Sequence, residues 1–165
     1  MARLQTPYET TQVPVDKSQA QIRTLLNTHK VEVIRFTSFP AYALIEFGRR
    51  ATKESPLIGY QLTITPRLGN FNTDPINAAD KAERQVWRVA YWWFKSKFEA
   101  LDFGLVEFEQ EFLPYIMLNV GGKQSTVAQA FFENMAGRLR SPDNPFEGIR
   151  LMLPEGKENQ GGSST

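Results

Sequence analysis

A chain of 165 residues, 41% hydrophobic and 22% charged, has the length of one domain and enough apolar side chains to bury a core. It has no cysteine, which excludes disulfides, thiolate metal sites and a cysteine nucleophile, and agrees with a reducing compartment. Its 19 basic and 18 acidic side chains leave a formal net charge of +1, so any nucleic-acid-binding surface must be a local one.

The opening Met1-Ala2-Arg3-Leu4-Gln5-Thr6-Pro7 lacks the apolar stretch of a signal peptide. No apolar run approaches the ~20 residues that a membrane helix needs, so no membrane contact and a cytoplasmic location are expected. Residues 1–14, polar and broken by Pro7 and Pro14, read as an extended arm. Ile22, Leu25 and Leu26 then follow an i, i+3, i+4 pattern, with Asp16 or Ser18 as the N-cap and an end near His29-Lys30.

From Val31 the period changes. Val31, Val33, Ile34 and Phe36 form one β-type run, and Tyr42-Ala43-Leu44-Ile45-Glu46-Phe47 a second. Ser38-Phe39-Pro40 between them marks a hairpin. After a basic turn carrying Arg49 and Arg50, Tyr60, Leu62 and Ile64 alternate on one face of a third strand that Pro66 ends. Residues 66–79, rich in Gly, Asn and Pro, read as a long surface loop.

Asp80 is expected to cap the longest helix, which runs to Gly104, the residue suited to a left-handed C′ position. Glu107 to Leu113 reads as a short helix interrupted by Pro114. Gly121-Gly122 makes a tight turn. Thr126 with Gln129 forms a capping box for a last helix carrying Val127, Ala130, Phe131, Met135 and Leu139. The expected architecture is α+β: a short helix, a three-stranded antiparallel sheet, a long helix packed on it, then short C-terminal helices. Residues 15–140 form the single domain, and 141–165 a linker and disordered tail.

On a helical wheel, Ala82, Val86, Val89, Ala90, Trp93, Ala100 and Leu101 fall on one side of the long helix, the expected core face. Lys81, Arg84, Arg88, Tyr91, Trp92 and Lys95 fall on the other. Cations one turn apart suit successive phosphates, and a Trp or Tyr face suits a base. The same stripe also suits a plainly solvated face with Trp92 and Tyr91 packed under the 66–79 loop, or a protein partner. Lys97 interrupts the apolar side and is expected to run its stem along the core with its ammonium in water.

Parts for catalysis are few. Glu107, Glu109 and Glu111 would suit a cation or acid chemistry, but acids also favour a helix start on dipole grounds alone. His29 is the only histidine, which excludes a His-rich zinc site. There is no Gly-x-Ser-x-Gly elbow, and Gly121-Gly122-Lys123 lacks the spacing of a P-loop. No metal or cofactor is expected, and an enzyme would need a site assembled across the fold.

Four features are similar to a known group: Val13-Pro14-Val15-Asp16-Lys17-Ser18 before the first helix, Arg84 with Trp87-Arg88, Lys95-Ser96-Lys97-Phe98-Glu99-Ala100, and Phe108-Glu109-Gln110-Glu111-Phe112-Leu113. With Gly104-Leu105, Tyr115-Ile116 and the Thr126-Val127 helix start, they resemble a family of small uncharacterised bacteriophage and prophage proteins, over Val13 to Phe132. The chain departs from that pattern at Glu107, where threonine is usual, and at Trp92-Trp93, where aliphatic residues are usual. The resemblance implies a phage-related accessory protein in the host cytoplasm and no particular activity. Two function classes are therefore expected: a non-catalytic binder of DNA or RNA through Lys81, Arg84, Arg88, Tyr91, Trp92 and Lys95, helped by Arg49 and Arg50, or an inhibitor or adaptor aimed at a host protein. The α-β-β-β-α order also resembles double-stranded-RNA-binding domains, without the lysine-rich start of their second helix.

Overall fold

The computed structural model describes residues 6–67, 75–120 and 122–139. The chain divides into two compact units, Met1–Ala130 and Phe131–Thr165, and of the second only helical residues up to Leu139 are described. The expected linker and tail from residue 141 onward, and residues 68–74 of the expected loop, lie outside the described residues.

The architecture is α+β. Helix α1 (Val15–Thr28) leads into strands β1 (Val33–Ser38), β2 (Ala43–Arg49) and β3 (Ile58–Ile64), an antiparallel meander in the order β1-β2-β3. The long helix α2 (Pro75–Asp102) packs on this sheet, its Trp87 meeting Phe36 edge-on at 5.4 Å and its Phe94 meeting Phe47 at 5.9 Å. A short helix α3 (Phe108–Phe112), a 3-10 turn (Leu113–Tyr115), strands β4 (Met117–Val120) and β5 (Lys123–Thr126), and helix α4 (Val127–Leu139) follow.

Helix α1 starts right after Pro14, and neither Asp16 nor Ser18 caps it. Pro14 is extended and its carbonyl already accepts from Ser18 N at 3.2 Å, while the Ser18 side chain points into the core. The helix ends as expected near His29. Lys30 takes a left-handed φ of 62°, Lys30 N donates to Asn27 O at 3.1 Å and Val31 N to Leu26 O at 3.2 Å, the pair of bonds that closes a helix end.

The register sets Ile34, Phe47 and Tyr60 in one row across the three strands and Phe36, Ile45 and Leu62 in another, placing these residues on the face toward the helices. The alternate row, Arg35, Glu46 and Gln61, lies on the other face. There Arg35 grips Glu46 with two bonds of 2.7 and 2.8 Å, and Gln61 adds a third to the same carboxylate at 3.3 Å. The Arg35 hydrogen bond holds the Glu46 carboxyl below its ordinary value of 4.5, with partial burial working against it. A carboxylate depressed in the folded state adds stability above its unfolded value and loses it as pH falls through the lower, folded one. Arg35→Ala should therefore give a flatter acid limb in a plot of stability against pH, with a small loss at neutrality. Urea melts across the acid range check this, and an unchanged limb would remove Glu46 from the account.

Helix α2 begins five residues before the expected cap, at Pro75. Proline suits the first helical position, where its preset φ fits and its missing N–H costs nothing, so the Pro-Ile-Asn-Ala-Ala segment is helix, not loop. Gly104 adopts the left-handed φ of 70° read for it. Gly104 N donates to Leu101 O at 2.9 Å and Leu105 N to Ala100 O at 3.0 Å.

The buried side of α2 is formed by Ala82, Trp87, Ala90, Phe94 and Phe98. It is turned about a quarter of a circle from the expected face, at 100° per residue. Val89 is exposed, while Val86, Trp93 and Leu101 pack at the edge of the core. The large rings decide the matter, because burying each of them removes more apolar area than burying a valine or alanine.

Strands β4 and β5 pair as a second small sheet, and between them Gly122 has a φ of 82°. A bridge between Tyr60 and Ile116 ties the approach to this hairpin to β3. The capping box at the start of α4 is present: Thr126 N donates to Gln129 Oε1 at 2.8 Å, and Gln129 N to Thr126 Oγ1 at 3.3 Å.

Candidate nucleic-acid interface

Trp92 stands at the centre of the proposed stripe, partly exposed on the outer side of α2. Two cations approach its ring, Lys95 Nζ at 4.8 Å from the centroid and the Arg88 guanidinium at 5.3 Å. Arg88 also lies 4.5 Å over the Tyr91 ring, and Tyr91 meets Trp92 edge-on at 5.2 Å. Spacings of three and four residues bring these side chains onto one helical flank. Arg88, Tyr91, Trp92 and Lys95 thus form one contiguous cluster.

The cluster gains a member that no local pattern announces. The arm is not simply extended: Glu9 N donates to Thr6 O at 3.3 Å and Thr11 N to Tyr8 O at 3.0 Å, and Tyr8 has a left-handed φ of 61°. Gln85 fastens this turn to α2, donating to Thr6 Oγ1 at 2.9 Å and to Pro7 O at 2.7 Å. The Tyr8 ring lies parallel to Trp92, with centroids 6.2 Å apart and planes within 7°. Tyr8 and Gln85 carry only a long-range signal, since about 80 residues separate arm and helix.

The charges of the stripe are partly spent inside the chain. Arg84 pairs with Asp80 one turn before it, and Lys95 lies 3.7 Å from Glu99 one turn after it. Arg88 donates to Gln21 Oε1 on α1 at 2.7 Å, a neutral partner, and has no ion pair among the described residues. Lys81 has no ion pair among the described residues. Arg49 and Arg50 lie apart from this cluster. Arg49 pairs with Glu109 and sits 4.3 Å over the Phe108 ring, beside the C-terminal end of α2. From Trp92 to Asp102 the helix rises about 15 Å. Arg50 binds Glu32 at 3.3 Å and Ser55 O at 3.2 Å.

The three acids near α3 hold no common ligand. Glu109 takes Arg49 and Glu111 takes Lys97, and Gln110 accepts from Glu107 N at 3.3 Å. Lys97 is partly exposed, and its ammonium pairs with Glu111 from α3 and lies 5.4 Å from the Trp93 centroid. His29 caps α1 through Nδ1, 2.8 Å from Leu25 O, while its Nε2 lies 3.0 Å from Asp102 and its ring stacks on Phe98 at 4.0 Å. Among the described residues no group of three or more acids and histidines is placed to hold a metal ion, and no helix is long and apolar enough to cross a membrane. Comparison with protein-family models, curated proteins and solved structures returns no match for this chain.

Proposed function

We propose that the chain is a non-catalytic accessory protein that binds single-stranded nucleic acid on the outer flank of α2. The reading rests on one observation, the partly exposed Tyr8–Trp92 ring pair with Arg88 and Lys95 beside it. Rings that stack bases, set among cations that meet phosphates, are how sequence-tolerant binders hold a single strand. Lys81 and Arg84 extend the track toward the start of α2, where Asp80 and Glu83 weaken it. Arg49 and Arg50 are left out of the proposed surface. A phage-related setting, implied by the family resemblance, suits such a role.

Fluorescence anisotropy of labelled single- and double-stranded DNA and RNA at low and moderate salt tests this. Single strands should bind more tightly, with log affinity falling against log salt by about 0.7 per phosphate neutralised. Replacing Arg84, Arg88 and Lys95 together by alanine should flatten that slope, and Trp92→Ala should weaken single strands selectively. No binding at low salt to any of the four would overturn the reading. A second reading, a protein-binding adaptor, then stands on Phe103 and Leu105, which are 84% and 76% exposed around the Gly104 turn.

A further inference from the structure

A separate cleft of about 760 Å³ opens between the tip of the β1–β2 hairpin and the first turns of α2. That volume lies within the range of small-molecule sites. Its wall is a preformed ring pair: Phe39 and Tyr42 stack with centroids 4.6 Å apart and planes 21° from parallel, held by a 2.8 Å bond from Phe39 N to Tyr42 O. Both rings keep more than a third of their surface open. Trp87, fully buried, also lines the cleft, and its indole Nε1 has no acceptor among the described residues.

The charges here are of one sign. Asp80 and Glu83 are the only charged side chains among the described lining residues. Asp80 is shared with Arg84, whereas Glu83 has no ion pair or hydrogen bond among the described residues. An unpaired carboxylate beside aromatic faces repels anions and offers a neutral guest burial alone. A cation gains from both the ring quadrupoles and the carboxylate, in a partly enclosed site where these attractions are less screened.

We propose that this cleft binds a small organic cation, a quaternary ammonium or guanidinium group on a short apolar stem. Glu83 supplies the countercharge, Phe39 and Tyr42 present the ring faces, and the buried Trp87 side chain backs the apolar wall. The site borders the weak end of the proposed nucleic-acid track at Asp80 and Glu83, and nothing in it uses Trp92 or Lys95.

The test is a titration of the whole chain, followed by the indole N–H signal of Trp87, which is assigned with Trp87→Phe. The probes are choline and its uncharged isostere 3,3-dimethylbutan-1-ol. Choline should move the Trp87 signal saturably and bind about tenfold more tightly than the isostere. Glu83→Gln should erase that preference, and Tyr42→Ala should weaken choline while the fold, checked by circular dichroism, persists. Equal binding of the two probes overturns the proposal, as does a preference that survives Glu83→Gln. No shift with choline at tens of millimolar overturns it as well.

Discussion

Phe112→Ala should lower the free energy of unfolding by about 3–5 kcal/mol, a large part of what a domain this size possesses. Phe112 is fully buried, and its ring lies within 4.7–6.3 Å of those of Phe108, Phe47, Phe98, Trp93, Tyr60 and Phe94. It is the point at which sheet, long helix and α3 meet. A helix as short as α3 has no stability of its own, so burial of Phe108 and Phe112 is what holds it. Removing the ring leaves a cavity that rigid aromatic neighbours fill poorly. The neighbouring Leu113, half exposed, is the internal control, and Leu113→Ala should cost under about 0.5 kcal/mol. Urea unfolding of both variants measures the difference. Similar midpoints for the two would mean that α3 is not seated as described.

Tyr60→Phe should act in the opposite direction. The Tyr60 hydroxyl is buried without a hydrogen-bond partner among the described residues, and a stranded polar group of that kind costs about 1–3 kcal/mol. The ring itself stacks on Phe47 at 5.0 Å and meets Phe108 edge-on at 5.7 Å, contacts that phenylalanine preserves. A gain on the order of 1 kcal/mol at neutral pH is therefore expected. The alkaline limb gives a second readout. Burial, reinforced by the Glu109 carboxylate and opposed by Arg49, raises the Tyr60 hydroxyl above its ordinary value of 10.0. A group raised on folding adds stability that is complete below its unfolded value and is lost as pH rises through the folded one. Wild type should lose stability from about pH 10 upward, and Tyr60→Phe should lose less. A net loss at neutral pH in the variant would show that the hydroxyl has a partner.

What could be read in advance was local. The Pro-containing break before Tyr42, the left-handed Gly104 and the Thr126–Gln129 box each depend on neighbours in sequence, and each is where its chemistry puts it. The buried face of α2 is ambiguous in sequence, because the helix holds aliphatic and aromatic residues on two overlapping arcs. A wheel that counts residues favours Val86, Val89 and Ala100, but the buried area belongs to Trp87, Phe94 and Phe98. The start of α2 is hidden in composition, because Asn and Pro break a helix interior yet Pro suits its first position. The partnerships that shape the candidate site, Tyr8 with Trp92, Arg88 with Gln21 and Arg49 with Glu109, join residues at least 60 positions apart, and no periodicity carries such information.

The meander has a kinetic consequence. No two paired residues of the three-stranded sheet are further apart in sequence than Ala43 and Ile64, so its loops close early and at modest entropic cost. The clasp of α1 on α2, by contrast, joins Gln21 to Arg88 and His29 to Asp102, 67 and 73 residues apart. That ordering makes the helix pair the late event in folding and the early one in unfolding. Substitutions along α1 should then act chiefly on the unfolding rate, and the sheet should keep its protection from hydrogen exchange longest. The arm, which Gln85 fastens to α2, belongs to the part of the molecule that opens first.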